Sequence, residues 1–218
     1  MHIVSTHNLL FSEGRYILMA FIALGVLGTI IPSRIVLLLT AAGLAFSLYF
    51  FRNPERTCAA ATGNPRVLIC PADGKVVAID DIEDGFVGSA KRVSIFLSPL
   101  DVHVQWSPVP GKIHQVNYRP GKFVVAYAPK SSDINERNDV AIVTNTEEKV
   151  LVRQIAGFVA RRICCWVNAG EQIHAGQKYG MIRFGSRVDV IIPRQSQVAV
   201  HINDRVVGGQ TVLGNLPT

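Results

Sequence analysis

The stretch KYGMIRFGSRVDVIIP, Lys178 to Pro193, alternates apolar and polar residues in two pieces. Tyr179, Met181 and Phe184 mark the first piece, and Val188, Val190 and Ile192 mark the second. A period near two is the signature of a half-buried strand. Between the pieces stands Phe184-Gly185-Ser186-Arg187, and a glycine inside a strand pattern ordinarily marks a bulge or a tight bend. The stretch therefore predicts a β-rich body with a bend at Gly185-Ser186.

Working upstream, the same texture extends back to about residue 67. The runs VLIC, KVVAI, RVSIFLS, VHVQW, KFVVAYA, VAIVTN, KVLVRQIAG and RRICCWV precede the quoted stretch, and QVAVHI follows it. β-Branched and aromatic residues fill these runs, and Gly, Pro, Asn and Asp separate them at close intervals. One short helix of two turns is expected over Gly157 to Cys165. Two glycine-flanked segments, GKIHQVNYRPGKFV and GEQIHAGQKYGMIRFG, share the hairpin texture of barrel-sandwich domains such as biotinyl and lipoyl carriers. The expected fold is mainly β (α+β): a compact antiparallel β sandwich of barrel-sandwich type behind an N-terminal helical hairpin.

That hairpin comes from two apolar runs, YILMAFIALGVLGTII (Tyr16 to Ile31) and IVLLLTAAGLAFSLYFF (Ile35 to Phe51), broken by Pro32-Ser33-Arg34. Each run is close to the short limit for a membrane span. The pair is expected to anchor residues 1–52 in a membrane, crossing it or dipping into one leaflet. A linker over 53–66 and a β-rich domain over 67–218 are expected to follow. A second apolar run directly after the first argues against a cleaved signal peptide. Arg15, Arg52 and Arg56 flank the hairpin while Arg34 alone sits in its turn, which places both ends and the β-rich domain on the cytoplasmic side.

Composition agrees with a membrane setting. Hydrophobic residues make up 49% of the chain against 17% charged, with a formal net charge of +6. Such a balance suits an anionic lipid face. The basic residues are scattered and carry no recognised nucleic-acid motif, so no nucleic-acid partner is expected. Cys58, Cys70, Cys164 and Cys165 form no C-x-x-C pair, which disfavours zinc and a disulfide framework. No metal is expected.

Candidate chemistry lies in three places. In LSPLDVHVQWSP, Asp101, His103 and Gln105 share one face of an alternating strand, and His103 is placed to act as an acid or base near neutral pH. Asp73 in PADGK is either a turn residue or a carboxylate that orients a histidine. Ser186 is the matching serine, but FGSRV lacks the G-x-S-x-G elbow, so an ordinary serine hydrolase is disfavoured.

Taken in order, FFRNPER, PADGKV, SIFLSPLDVHV, NERN, QIAGFVARRI, GEQIHAGQKYGMIRFGSRVD and GQTVLG span Phe50 to Gly214. This ordered set resembles the phosphatidylserine decarboxylase proenzymes of the short bacterial and archaeal type. The resemblance implies that the Ser186 hydroxyl attacks the Gly185 carbonyl and that β-elimination then splits the chain. Residues 1–185 would form the large chain and 186–218 the small chain, held together as a heterodimer that could assemble further. Ser186 would become a pyruvoyl group, the cofactor, whose Schiff base with phosphatidylserine in the membrane yields phosphatidylethanolamine and carbon dioxide.

The longer bacterial relatives carry His-x-x-His, where this chain has His103 and Trp106. The resemblance assigns His103 as base or proton donor, Asp73 as its orienter, and Arg137 of NERN as a contact for the substrate's carboxylate or phosphate. It leaves open an ether-lipid substrate, archaetidylserine. Pyruvoyl decarboxylation of a soluble amino acid and a membrane-tethered biotinyl or lipoyl carrier are the competing readings. The carrier reading lacks a lysine where Gly185-Ser186 stands. A second Gly-Ser, Gly88-Ser89, lies in the polar stretch EDGFVGSAKRV and matches no part of the family pattern.

Overall fold

A computed structural model describes residues 13–31, 33–122, 134–157, 162–183 and 185–217. The chain divides into two compact units, Met1–Glu55 and Arg56–Thr218. The boundary falls inside the stretch 53–66, because Arg56 is tied into the larger unit by Asp73.

In the first unit, helices α1 (Arg15–Ile30) and α2 (Arg34–Phe50) pack on each other. Ser33 caps α2, its Oγ accepting from the Val36 amide at 3.4 Å. The helices meet at small residues: a Cβ on Gly43 would lie 2.1 Å from the Phe21 ring. Large apolar side chains point outward, with Ile30, Ile35 and Leu38 each at least 70% exposed. No helix among the described residues is long and apolar enough to cross a membrane. At 1.5 Å per residue each rises roughly 25 Å, short of a hydrocarbon core of about 30 Å.

The second unit is built almost wholly of strands. In chain order they are β1 (Val67–Ile69), β2 (Gly74–Asp84), β3 (Gly88–Leu97), β4 (Val104–Trp106), β5 (Gly111–Arg119), β6 (Arg137–Val143) and β7 (Lys149–Ala156). There follow β8 (Ile163–Cys165), β9 (Gln172–Ile173), β10 (Lys178–Ile182), β11 (Ser186–Pro193), β12 (Gln197–Val198), β13 (Arg205–Val206) and β14 (Val212–Asn215). Eight of them form one sheet in the order β13-β2-β3-β11-β7-β6-β5-β9, antiparallel at every paired edge. Two three-stranded sheets, β1-β14-β12 and β4-β10-β8, complete the unit. The body is antiparallel β, as the alternation in the sequence predicts.

Strand β11 sits in the middle of the large sheet, between β3 and β7. Its even-numbered side chains Val188, Val190 and Ile192 enter the main hydrocarbon core with Ile95, Val140 and Val152. The small sheets contribute Leu68, Leu213, Tyr179 and Ile182 to that core. The other face of β11 carries Arg187, Asp189 and Ile191, of which Ile191 joins a small cluster with Ala90, Ala141 and Leu151. The large sheet curls over this face: the Phe86 ring, at the tip of the β2–β3 hairpin, stacks on His114 of β5 with centroids 5.4 Å apart.

Two expectations need comment. The described part of Gly157 to Cys165 is not helical: Ile163–Cys165 is β8, hydrogen-bonded to β10, and pairing with a neighbouring strand overrides a weak helical period. Residues 158–161 of that stretch lie outside the described residues. So does the KFVVAYA run beyond Lys122, and so does Phe184.

Candidate active site

The quoted stretch divides where its glycine stands. Gly185 has φ +59°, in the left-handed region, and a Cβ there would meet nothing within 4 Å. Backbone conformation rather than crowding calls for glycine. Ser186 then opens β11, opposite Leu97 of β3 on one side and Ala156 of β7 on the other. Its side chain is on the hydrocarbon face, fully buried, and its Oγ has no hydrogen-bond partner among the described residues. Leaving a buried hydroxyl unsatisfied costs about 1–3 kcal/mol.

The next residue faces the other way. Arg187 donates to Asp189 at 3.0 Å, and both are buried in the curl of the sheet. Arg153 on β7 grips Asp139 of β6 there at 2.7 and 3.0 Å. Arg137, proposed above as a substrate contact, shares a cross-strand row with Ile155 and Arg187. Register thus places Arg137 two strands from β11, on the face that carries Arg187 and not the Ser186 hydroxyl.

His103 is fully buried just before β4. Its Nδ1 lies 2.9 Å from the Asp101 carbonyl oxygen. A carbonyl only accepts, so Nδ1 is the donor here, and Nε2 is the nitrogen that can act as a base whenever the ring is neutral. The loop before it is fixed by Asp101, whose carboxylate accepts from the Ser98 amide at 2.8 Å and from Arg205 at 3.0 Å. The His103 carbonyl accepts from the Ile182 amide at 3.3 Å. That bond ties the histidine loop to the end of β10, four residues ahead of Ser186.

Asp73 does not touch the His103 ring. Its carboxylate takes a two-pronged contact from Arg56 and accepts from the Gly208 amide at 2.8 Å and the Val102 amide at 3.4 Å. It reaches His103 only through the main chain of the preceding residue. The Arg56 guanidinium also lies 4.7 Å over the Trp106 ring, so the indole at the position of the longer relatives' second histidine is buried packing.

Residues to which the sequence assigned no role surround this geometry. Asn135 of NERN donates to the Ala156 carbonyl at 2.7 Å, while the Glu136 carbonyl accepts from the Ala156 amide at 2.9 Å. NERN therefore braces the strand position opposite Ser186. Asn138, Gln154 and Gln105 are buried alongside. Neutral amides carry no spacing signature, and only the pairing of distant strands reveals them.

A groove of about 770 Å³ opens between the segment 57–65 and the turn at 174–177. It shares Arg56 with the Asp73 anchor, but neither His103 nor Ser186 lines it. Burial pushes the Cys70 thiol up to about 12 and raises those of Cys165 and the Tyr179 phenol as well, so none of the three is poised as a nucleophile. Among the described residues no group of three or more His, Cys, Asp or Glu side chains gathers as a metal site.

The sequence is similar to those of one family. The family model described as phosphatidylserine decarboxylase matches residues 44–214. A protein of Symbiobacterium thermophilum named phosphatidylserine decarboxylase proenzyme is 43% identical over 208 residues, covering 94% of each chain. Proteins of the same name from Chlorobium luteolum and Prosthecochloris aestuarii are 45% and 43% identical, covering 88% and 84% of this chain and 90% and 82% of their own.

Proposed function

Because the chain belongs to the phosphatidylserine decarboxylase family, we propose that it converts phosphatidylserine to phosphatidylethanolamine and carbon dioxide with a pyruvoyl group made from its own Ser186. The observation that carries this reading is the buried, partnerless Ser186 hydroxyl behind a left-handed glycine. Ser94 and Ser196 are also buried with unpartnered hydroxyls among the described residues, so what supports Ser186 is that hydroxyl together with the left-handed glycine directly before it.

Self-cleavage follows from the local chemistry. The Ser186 oxygen adds to the Gly185 carbonyl carbon, the peptide C–N bond breaks, and an ester replaces the amide. Removal of the Ser186 α-proton then expels the Gly185 carboxylate. The dehydroalanine that remains takes up water and loses ammonia, leaving the pyruvoyl group. His103 Nε2 is the base proposed for these proton transfers. Cleavage need not release the small chain, since β11 is paired on both edges and β14 pairs with β1.

The pyruvoyl group supplies an electron sink for the pair left when the substrate's C–CO₂ bond breaks. His103 holds the proton that replaces the carboxyl, and Asp73 steadies the loop that carries it through the Val102 amide. Arg137 lies on the sheet face opposite the Ser186 hydroxyl, so no headgroup contact is assigned to it. The exposed apolar side chains of α1 and α2 suit attachment to a lipid surface on the cytoplasmic side, where this substrate is confined. The test is to offer the purified full chain phosphatidylserine vesicles, archaetidylserine vesicles and free serine, each carboxyl-labelled, and to measure released carbon dioxide. Release from phosphatidylserine and none from free serine is expected; release from free serine at a comparable rate would overturn the lipid assignment.

A further inference from the structure

Three buried amide side chains run head to tail between the two halves of this site. Asn138 Nδ2 donates to Gln154 Oε1 at 2.9 Å, and Gln154 Nε2 donates to Gln105 Oε1 at 2.8 Å. Gln105 Nε2 then donates to the His103 carbonyl at 2.7 Å. Gln105 and Gln154 are fully buried and Asn138 is 2% exposed. At one end, Gln154 lies beside β11, paired with Val188 two positions along from Ser186, and Asn138 lies one strand further out on β6. At the other end stands the main chain of His103.

The surroundings are shaped to admit this chain. A Cβ on Gly180 would lie 2.5 Å from the Cys164 carbonyl oxygen and 2.8 Å from Gln154 Nε2, so glycine makes room for both the neighbouring strand and the amide. The neighbours of Gln154 along β7, Val152 and Ala156, both belong to the hydrocarbon core. Burying an amide in such surroundings is unfavourable unless it is hydrogen-bonded, and leucine or methionine would fill the same volume without that demand. What the amides add is direction: each link fixes which atom of the next donates and which accepts.

We propose that Asn138, Gln154 and Gln105 are positioning residues, a directional amide chain that sets the His103 ring relative to the Gly185–Ser186 bond and, after processing, relative to the bound substrate. The chain touches neither the hydroxyl nor the ring; it holds the backbone on which the ring is carried. Together with the Ile182 amide, Gln105 fills the accepting capacity of the His103 carbonyl. Loosening it lets the loop drift, and a displacement of about 1 Å can cost on the order of 100-fold in rate. This inference rests on the decarboxylase reading for its kinetic consequences, but the geometry it asserts does not.

The test uses the full chain with Gln105→Leu, Gln154→Leu, their double variant and Gln154→Glu. Each leucine variant is expected to lower kcat for phosphatidylserine about 10- to 100-fold with KM within about twofold. The double variant should be no worse than the poorer single, because the residues act as one unit. Gln154→Glu keeps the shape and the acceptor for Asn138, yet can donate to Gln105 only while its carboxyl is protonated. Burial raises that pKa, so its kcat relative to wild type should be highest at low pH and fall as pH rises.

The titration of the His103 ring, followed by NMR on the same proteins and on Ser186→Ala with and without Gln154→Glu, should move in each Gln variant whatever the substrate proves to be. A lower Tm with kcat, its pH profile and the His103 titration all unchanged would overturn the proposal, as would additive losses in the double variant. An inactive wild type whose His103 titration still responds would refute the substrate and leave the amide chain standing.

Discussion

Two Gly-Ser pairs occupy comparable places in this molecule, and only one of them is proposed to be cleaved. Gly88 and Gly185 both have positive φ, +85° and +59°, and an added Cβ would meet nothing within 4 Å at either. Each pair leads into a long strand of the same sheet, β3 or β11. Ser89, however, is exposed at the hairpin end, where Gly88 pairs with Asp84 across the turn. Ser186 is sealed between β3 and β7 with its hydroxyl unsatisfied. A left-handed glycine before a serine is thus only a turn; the pair proposed to react differs in its burial and in the histidine loop tied to the end of β10.

Substitutions can break that comparison. Ser186→Ala should remain a single chain and lose decarboxylation entirely, while Ser89→Ala should process and turn over as wild type; activity retained in Ser186→Ala would contradict the assignment. His103→Gln should reduce decarboxylation by about 100- to 10,000-fold, the usual worth of a positioned acid or base. Gly185→Ala and Gly88→Ala should each lose about 1–2 kcal/mol, since alanine is strained at positive φ. Only Gly185→Ala should slow chain cleavage, which gel electrophoresis over time would resolve.

The smallest expected effect lies away from both pairs, at Cys70. Its folded thiol holds its proton to about 12, while in the unfolded chain it ionises near the ordinary value of 9. Between those values the unfolded state binds fewer protons, so stability falls as pH rises through that window. Urea unfolding of wild type and Cys70→Ala at pH 8 and pH 10.5 should show the steeper loss in wild type, with processing unaffected. Equal losses would mean that burial does not hold the Cys70 proton.

How much of this was legible in the sequence depends on the range of the interaction. Alternation along Lys178 to Pro193 announced β11, and the Gly-Ser at its start was visible as a bend. His103 could be singled out because it shares one face of an alternating run with Asp101 and Gln105 and carries a titratable ring. Asp73 was visible as a turn carboxylate, but its partner Arg56 was not, since an ion pair across 17 residues leaves no local pattern. Gln105 was visible beside His103 and Asn138 as the end of NERN, but Gln154 was not, and the link among the three appears only when β6, β7 and β4 are brought together. The curl that hides Arg187 and Asp189 likewise depends on Phe86 finding His114.

The central claim is that the bond after Gly185, and not the bond after Gly88, is the one this protein breaks. Intact mass of the freshly purified, active protein under denaturing conditions tests it directly. Two chains divided after Gly185 are expected, the smaller with a blocked N-terminus that reacts with hydroxylamine or borohydride. A single uncleaved chain in active enzyme, or a division after Gly88, would contradict the account.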